Sequence, residues 1–353
     1  MFLSICIPQY NRTSFLIESL CSFSMQSFKD FEVCISDGGS TDGGLLEIES
    51  FLIHSGMRYK IKRSEKNIQY DENLRTSISL SEGKYILLMG NDDALVDVST
   101  LAYLKDLLDK NCPVGVAITN YHELSTGKDY RRMVRTGILG AGPEMAASTF
   151  RHYAFVSGIV MDGESARAAT SDKCDGSEMY QMYLGSRLIS AGGQFLSIDK
   201  ICVLKDIQIP GQSVDSYKAK PKIAPCPIIE RPLPMGQILQ TVAIGIDSVI
   251  SGQARNRSVS LVAKQLYKFT YPFWIFEYRR VQSFNYALGV YLALRPSKTM
   301  NRVKMPFLSR TSSWLIYILA GTLGFFTPLS LFDSARPFLY ALAKRGQKLI
   351  PNA

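Results

Sequence analysis

Histidine, tryptophan and paired cysteines are scarce in this chain of 353 residues. Its histidines, His54, His122 and His152, stand at spacings that build no metal site, so each reads as an ordinary surface or core residue. The cysteines number seven and form no Cys-x-x-Cys pair, which argues against a disulfide framework and a structural zinc site. A reducing, cytosolic setting suits that usage. No internal repeat or low-complexity run breaks the chain. Met1 leads directly into a strand-length apolar stretch without a basic n-region, so a secretory signal is not expected at this end.

Acid is the other shortage, and it is local. From Arg255 onward there are 15 Lys/Arg against 2 acids. The first 254 residues hold 25 basic and 29 acidic residues. The net charge of +9 therefore sits in the back of the chain, where it suits nucleic acid, an anionic membrane or an anionic substrate. A hydrophobic fraction of 46% and a charged fraction of 20% are ordinary for a globular protein with one large domain or two smaller ones.

The front half alternates strand and helix patterns. Phe2 to Ile7 reads as a buried strand stopped by Pro8, followed by a helix that Thr13 or Ser14 can cap. Phe31 to Ser36 is a second strand and Gly44 to His54 a second helix. Tyr59 to Arg63 is a third strand, and Asp71 caps a helix through Leu80. The stretch beginning at Lys84, Lys-Tyr-Ile-Leu-Leu-Met-Gly-Asn-Asp-Asp-Ala, reads as a central strand ending in two adjacent carboxylates, Asp92 and Asp93. Such regular alternation predicts an α/β fold with a doubly wound, mostly parallel sheet.

Right-handed crossovers bring three polar loops to one sheet edge: Pro8-Gln-Tyr-Asn, Asp37-Gly-Gly-Ser and Asn91-Asp-Asp. The glycine turn is neither Gly-x-Gly-x-x-Gly nor a Walker loop. A divalent cation held by carboxylates is the other common way to neutralise a diphosphate. On its own, Asn-Asp-Asp after a strand is most simply a solvated turn.

Together the three motifs, in this order within about the first 95 residues, resemble family 2 glycosyltransferases of the GT-A fold. The resemblance implies a nucleotide-sugar donor, a divalent metal (Mn²⁺ or Mg²⁺) and inversion at the anomeric carbon. Carried over by position, it implies that Pro8, Tyr10 and Asn11 line the nucleotide pocket and Asp37 contacts the base. Asp92 would sit near the ribose, and Asp93 would bind the metal. Asn67, Asp71 and Arg75 fall in the segment that often completes the nucleotide site. Two departures stand out: Gly38 where many relatives have a second acid, and Gly90 where the Asp-x-Asp-Asp form has its leading acid.

Inverting transfer needs a general base, and a carboxylate facing the donor carbon serves well. Residues 171–183 offer Asp172, Asp175 and Glu178 just ahead of a helix, where the family usually places its acid. Glu178 is the first choice and Asp175 the second. Either acid can equally be a simple charge at a helix start.

Domain bounds follow as a catalytic unit over 1–208, a proline-rich linker or covering loop over 209–235, and a helical, basic region over 236–353. Gln212 and Ser213 of the linker are candidates to touch the donor phosphates. Residues 121–135 are either a hairpin or a loop. Aromatics interleaved with Lys and Arg over 267–280 suit single-stranded nucleic acid or a membrane interface. The uncharged stretch from Thr311 to Phe332 favours the membrane, as a helix or hairpin lying in its surface rather than as a true span.

The expectation is an inverting glycosyltransferase at the cytoplasmic face of the inner membrane, acting on a lipid-linked or oligosaccharide acceptor in surface polysaccharide assembly. No nucleic acid is expected as a partner. The alternatives are a metal-dependent nucleotidyltransferase and a membrane-docked, non-catalytic sugar-nucleotide binding protein.

Overall fold

The computed structural model describes residues 1–212 and 234–344. Most of the proline-rich stretch, Ser213 included, lies outside the described residues. The first strands are β1 (Leu3–Gln9), β2 (Phe31–Asp37), β3 (Arg58–Arg63) and β4 (Tyr85–Leu88). They are followed by β5 (Ala94–Leu95), β6 (Val116–Glu123), β7 (Lys128–Tyr130) and β8 (Gly137–Gly140). The last two are β9 (Ile159–Asp162) and β10 (Phe195–Lys205).

All join one sheet in the order β3-β2-β1-β4-β9-β6-β10-β5, with β7 paired to β6 and β8 to β10. The first four strands are mutually parallel, and β6 and β10 are parallel to each other. The intervening β9 runs antiparallel to both its neighbours, β4 and β6. Residues 121–135 thus contain a hairpin, since β7 folds back on β6. Every residue of β2 and β4 is buried, as expected for strands covered on both faces. Outer β3, Arg-Tyr-Lys-Ile-Lys-Arg, carries the charges that protect an edge.

Pro8 does not stop β1; it pairs with Ser36 inside the strand. The Cys6 carbonyl accepts from Met89 at 3.1 Å, so Pro8, two residues on, faces the same side after β4 has ended. Its missing N–H therefore costs no ladder bond.

Over the sheet lie α1 (Thr13–Ser24), α2 (Leu45–Ser55), α3 (Tyr70–Ser79) and α4 (Thr100–Lys110). Neither Thr13 nor Ser14 caps α1. Arg12 stands at its N-cap, and the orphan N–H of Thr13 reaches Asp42 Oδ2 at 3.0 Å. Next come α5 (Pro143–Thr149), a 3₁₀ segment (Phe150–Ala154), α6 (Gly163–Ala168) and α7 (Tyr180–Ser190).

The C-terminal layer is helical: α8 (Pro234–Asp247), α9 (Gly252–Gln265), a π-helical segment (Leu266–Thr270) and α10 (Tyr271–Val281). It continues with α11 (Phe284–Ala293), α12 (Pro296–Thr299), α13 (Phe307–Phe326) and α14 (Leu329–Lys344). One buried cluster runs from Cys6 and Ile86 through Tyr183 and Leu239 to Val259 and Tyr317. These helices therefore share a core with the sheet. Among the described residues, no helix is long and apolar enough to cross a membrane.

Glu32, on β2, locks three strands together. Its carboxylate accepts from Ser4 Oγ of β1 at 2.7 Å and from the Glu82 N–H ahead of β4 at 2.7 Å, with Lys60 of β3 at 3.3 Å. Burial alone would raise its pKa; those donors and the ammonium bring it below the ordinary value. Glu32→Ala leaves Ser4 and the Glu82 N–H without their acceptor inside the core. The expected loss is about 3 kcal/mol, read as a lower urea midpoint at unchanged slope.

Candidate active site

The turn after β4 cannot stay local, because β5 pairs with β10 at the far side of the sheet. Asn91, Asp92 and Asp93 are therefore carried across the carboxyl edge. Two other segments end at the same edge. Ser157 precedes β9, which runs antiparallel to β4, and Asp206 follows the last residue of β10.

All three segments meet on Asp93, which is 2% exposed. Ser157 donates its hydroxyl hydrogen to Asp93 Oδ2 and accepts the Gly90 N–H at 2.7 Å. The Asp206 N–H donates to Asp93 Oδ1 at 3.0 Å. Burial, and secondarily the Asp92 charge, push the Asp93 carboxyl up to about 8, against the pull of these hydrogen bonds.

Asp92 is more open and pairs with Arg12 at 2.7 Å. Its pKa is raised as well, by burial first and by the Asp206 charge, while Arg12 opposes both. A Cβ on Gly90 would come within 2.9 Å of Asp93 Oδ2 and 3.1 Å of Asp92 Oδ1. A side chain there would require the two carboxylates to shift.

Gln9 knits the other loops to this turn. Its carbonyl accepts from the Gly38 N–H and from Asn73 Nδ2, each at 2.8 Å, and its side-chain oxygen accepts from Asn91 at 2.8 Å. Pro8, Tyr10, Asn67, Asp71, Asp92, Asp93 and Glu178 all line one cleft. The Tyr10 hydroxyl accepts from Asn67 Nδ2 at 2.9 Å, which closes one wall.

Asn11 and Asp37 stand behind that wall. Asn11 bridges two loops, its N–H reaching Ser40 Oγ at 2.7 Å and its Oδ1 accepting from the Thr41 N–H at 2.8 Å. Asp37 is buried, with Oδ1 holding Ser40. Its Oδ2 has no hydrogen-bond partner among the described residues; Arg63 Nε lies 3.8 Å away.

Asp71 does not cap its own helix, and both its oxygens accept hydrogen bonds. It accepts the N–H groups of Glu178 at 2.8 Å and Tyr180 at 3.0 Å, with the Ser177 hydroxyl at 3.3 Å. It thus supplies the cap of α7 from a distance and fixes the loop that carries Glu178. Burial raises its pKa and those donors lower it, with burial prevailing. Asp175 lies outside the cleft, tied to Arg75 at 2.6 Å. Of the two candidate bases only Glu178 lines the cavity, and its side chain is exposed there.

Among the described residues, positive φ outside glycine occurs at Asn11, Arg12, Glu178 and Asp206, at 52°, 62°, 58° and 61°. All four belong to the cleft or to the loop behind its wall. Strain of this kind persists where packing over-determines it, and it gathers at functional sites.

Residue patterning missed Arg12, Ser157, Asp206 and Arg132. Arg132 is partly buried, donating to the carbonyls of Thr119, Phe155 and Ser157 at 2.9, 2.7 and 2.7 Å. Burial lowers its pKa to about 10 despite the nearby Tyr121 and Asp93. Asp206 alone had a readable signal, an acid shortly after the apolar run Ile201-Cys-Val-Leu204.

Residues 4–165 match the family described as Glycosyl transferase family 2. That match takes in a little under half of the chain. The abequosyltransferase RfbV of Salmonella typhimurium is 39% identical over 116 residues, covering 32% of this chain and 34% of that protein. The chain thus spans about a third of the length of this curated relative. In fold, the chain is similar to S. aureus TarS 1–349, at a TM-score of 0.60 and 15% identity over 92% of this chain and 91% of that one. It is also similar to the mannosyltransferase PcManGT of Pyrobaculum calidifontis, solved with GDP-Man and Mn²⁺. That match has a TM-score of 0.54 and 13% identity over 97% and 85% of the two chains. The architecture is accordingly a GT-A-like α/β fold with a C-terminal helical region.

The buried carboxyl has a measurable signature. Folded, Asp93 keeps a proton that the unfolded chain, titrating near 4, has already lost. Its linkage therefore lowers stability as pH rises toward about 8. Asp93→Asn is neutral throughout and removes that slope. In chelator-treated buffer its melting temperature should gain on wild type between roughly pH 5 and pH 8. Parallel curves in calorimetry would show that Asp93 is ionised like any other carboxylate.

Proposed function

We propose that this chain is an inverting glycosyltransferase that moves a sugar from a nucleotide-sugar donor to an acceptor hydroxyl in surface-glycan assembly. The observation that carries the reading is the single cleft with Asp92 and Asp93 on its floor and Glu178 in its wall. Pro8, Tyr10 and Asn67 form the nucleotide side, and Asp37 supports it from behind through its hold on Ser40. Solved neighbours point the same way, TarS with UDP-GlcNAc and PcManGT with GDP-Man.

Asp92 and Asp93 suit a divalent cation. They are hard oxygen donors side by side, and Asp93 holds a proton for want of a counter-charge. No group of three His, Cys, Asp or Glu forms a ready cage among the described residues, so the diphosphate would supply further oxygens. Bound there, Mg²⁺ or Mn²⁺ supplies charge neutralisation of the leaving diphosphate.

The chain's own residues do the rest. Asp71 holds the loop so that the Glu178 carboxylate can take the proton from the attacking hydroxyl. Arg12 restrains Asp92.

The acceptor side lies toward the helical layer. The outward face of α13 exposes Leu315, Ile318 and Phe326, with Phe307 and Leu308 beside the exposed Lys304 and Arg310. Apolar area flanked by cations suits peripheral or monotopic docking on the anionic cytoplasmic face of the inner membrane.

A thermal-shift screen of UDP- and GDP-sugars with and without MnCl₂ should find a stabilising pair. Asp93→Ala should lose the metal-dependent part of the shift. Glu178→Gln should keep it while turnover falls by about a hundredfold or more; full turnover in Glu178→Gln would remove the base. Replacing Leu315, Ile318 and Phe326 with serine should release the protein from sedimenting phosphatidylglycerol vesicles without lowering its melting temperature.

A further inference from the structure

The cleft does not end at Glu178. It opens into one cavity of about 2660 Å³ that continues between the 3₁₀ segment and the C-terminal helices. A ligand of drug-like size needs about 300–1,000 Å³, so a nucleotide sugar leaves room for a second, larger occupant. The far half is lined by Phe273, Trp274, Leu319, Leu323 and Phe332, an apolar and aromatic trough between α10 and α13–α14.

Its charges have one sign. Arg151, Lys264, Lys268 and Arg336 line the cavity in that half, whereas the carboxylates among its lining residues belong to the sheet edge and the Glu178 loop. Arg336 is near Glu277 at 3.5 Å. Lys264 and Lys268 stand one turn apart and are exposed, with no carboxylate in ion-pair reach among the described residues. Arg151 lies over the Phe269 ring at 5.6 Å, which brings it to the same place. Lys268 and Phe269 fall within the π-helical segment, and an inserted turn of this type frequently marks a binding site. Arg151 lies on the 3₁₀ turn leading toward Ser157, Lys264 near the end of α9 and Lys268 in the π segment, and all three line the cavity that also holds the sheet-edge carboxylates and the trough.

We propose that this half of the cavity binds an amphiphile. Its phosphate or diphosphate head sits on Lys264, Lys268 and Arg151, and its hydrocarbon tail lies in the trough beside Trp274. Guanidinium and ammonium groups suit phosphate oxygens, and the aromatic walls suit the chain. That this amphiphile carries the accepting hydroxyl rests on the glycosyltransferase reading. The binding site itself does not.

Trp274 and Trp314 are the two tryptophans, so Trp314→Phe in the full chain leaves Trp274 as a reporter inside the trough. Dodecyl phosphate, titrated below its micelle concentration, should shift Trp274 emission to the blue with saturation. Lys264→Gln with Lys268→Gln should raise its Kd by about tenfold or more, with the donor thermal shift retained. Dodecyl maltoside, which has no charge, should bind weakly and equally to both proteins.

Equal dodecyl phosphate affinity in the double variant would overturn the site, as would absence of any saturable shift. Competition by inorganic phosphate as effective as by dodecyl phosphate would also overturn it, because the tail would then contribute nothing. Loss of phosphatidylglycerol-vesicle binding with unchanged dodecyl phosphate affinity would reassign the lysines to a membrane surface. Loss of donor binding beside intact amphiphile binding would instead count against the glycosyltransferase reading.

Discussion

Everything at the carboxyl edge depends on one buried carboxyl. Asp93 is enclosed where the turn after β4, the approach to β9 and the exit of β10 converge, and its two oxygens are what join them. The backbone around it is fixed as well. Ser19 of α1 donates to the Asp93 carbonyl, and the Ile207 N–H reaches the Asp92 carbonyl at 2.8 Å. A carboxyl in so dry a place resists ionisation, the more so beside the Asp92 charge. The protein therefore keeps a charge deficit at the floor of its cleft.

Much of this was legible in residue order. Strands β1, β2 and β4 are short apolar runs ending in polar turns, and parallel topology alone places those turns together. Gly90, a departure from the commoner motif, lies directly beside the side-chain oxygens of Asp92 and Asp93. What could not be read was long-range. Ser157 is an unremarked serine until an antiparallel strand places it against β4. Arg12 seemed part of a loop, yet a left-handed backbone turns it onto Asp92 across 80 positions of sequence. Asp71 looked like a local cap because such a cap needs only neighbours; its true partners lie more than a hundred residues away.

The same loop shows why position and chemistry separated at the base. Asp172, Asp175 and Glu178 are equivalent as charges before a helix. Packing distinguishes them: Arg75 draws Asp175 aside, while two N–H bonds to Asp71 force Glu178 into a positive φ. A glutamate gains nothing locally from that conformation. It is held there by a carboxylate that is itself fully buried, so the strain is balanced by core contacts rather than by the loop.

The helical layer takes part in this arrangement. Gln237 of α8 donates to the Gly176 carbonyl at 3.0 Å, gripping the Glu178 loop from the side opposite Asp71. On α8, Gly245 lies so close to α7 that a Cβ would come within 2.7 Å of the Tyr183 carbonyl. Shifting α8 therefore shifts both the start of α7 and the loop ahead of it. An occupant that wedges between the later helices acts on the same packed stack, through α9 and the π segment. The chain thus ties the Glu178 loop to the helical layer as well as to Asp71, while the Asp93 turn is held by Ser157 before β9 and Asp206 after β10.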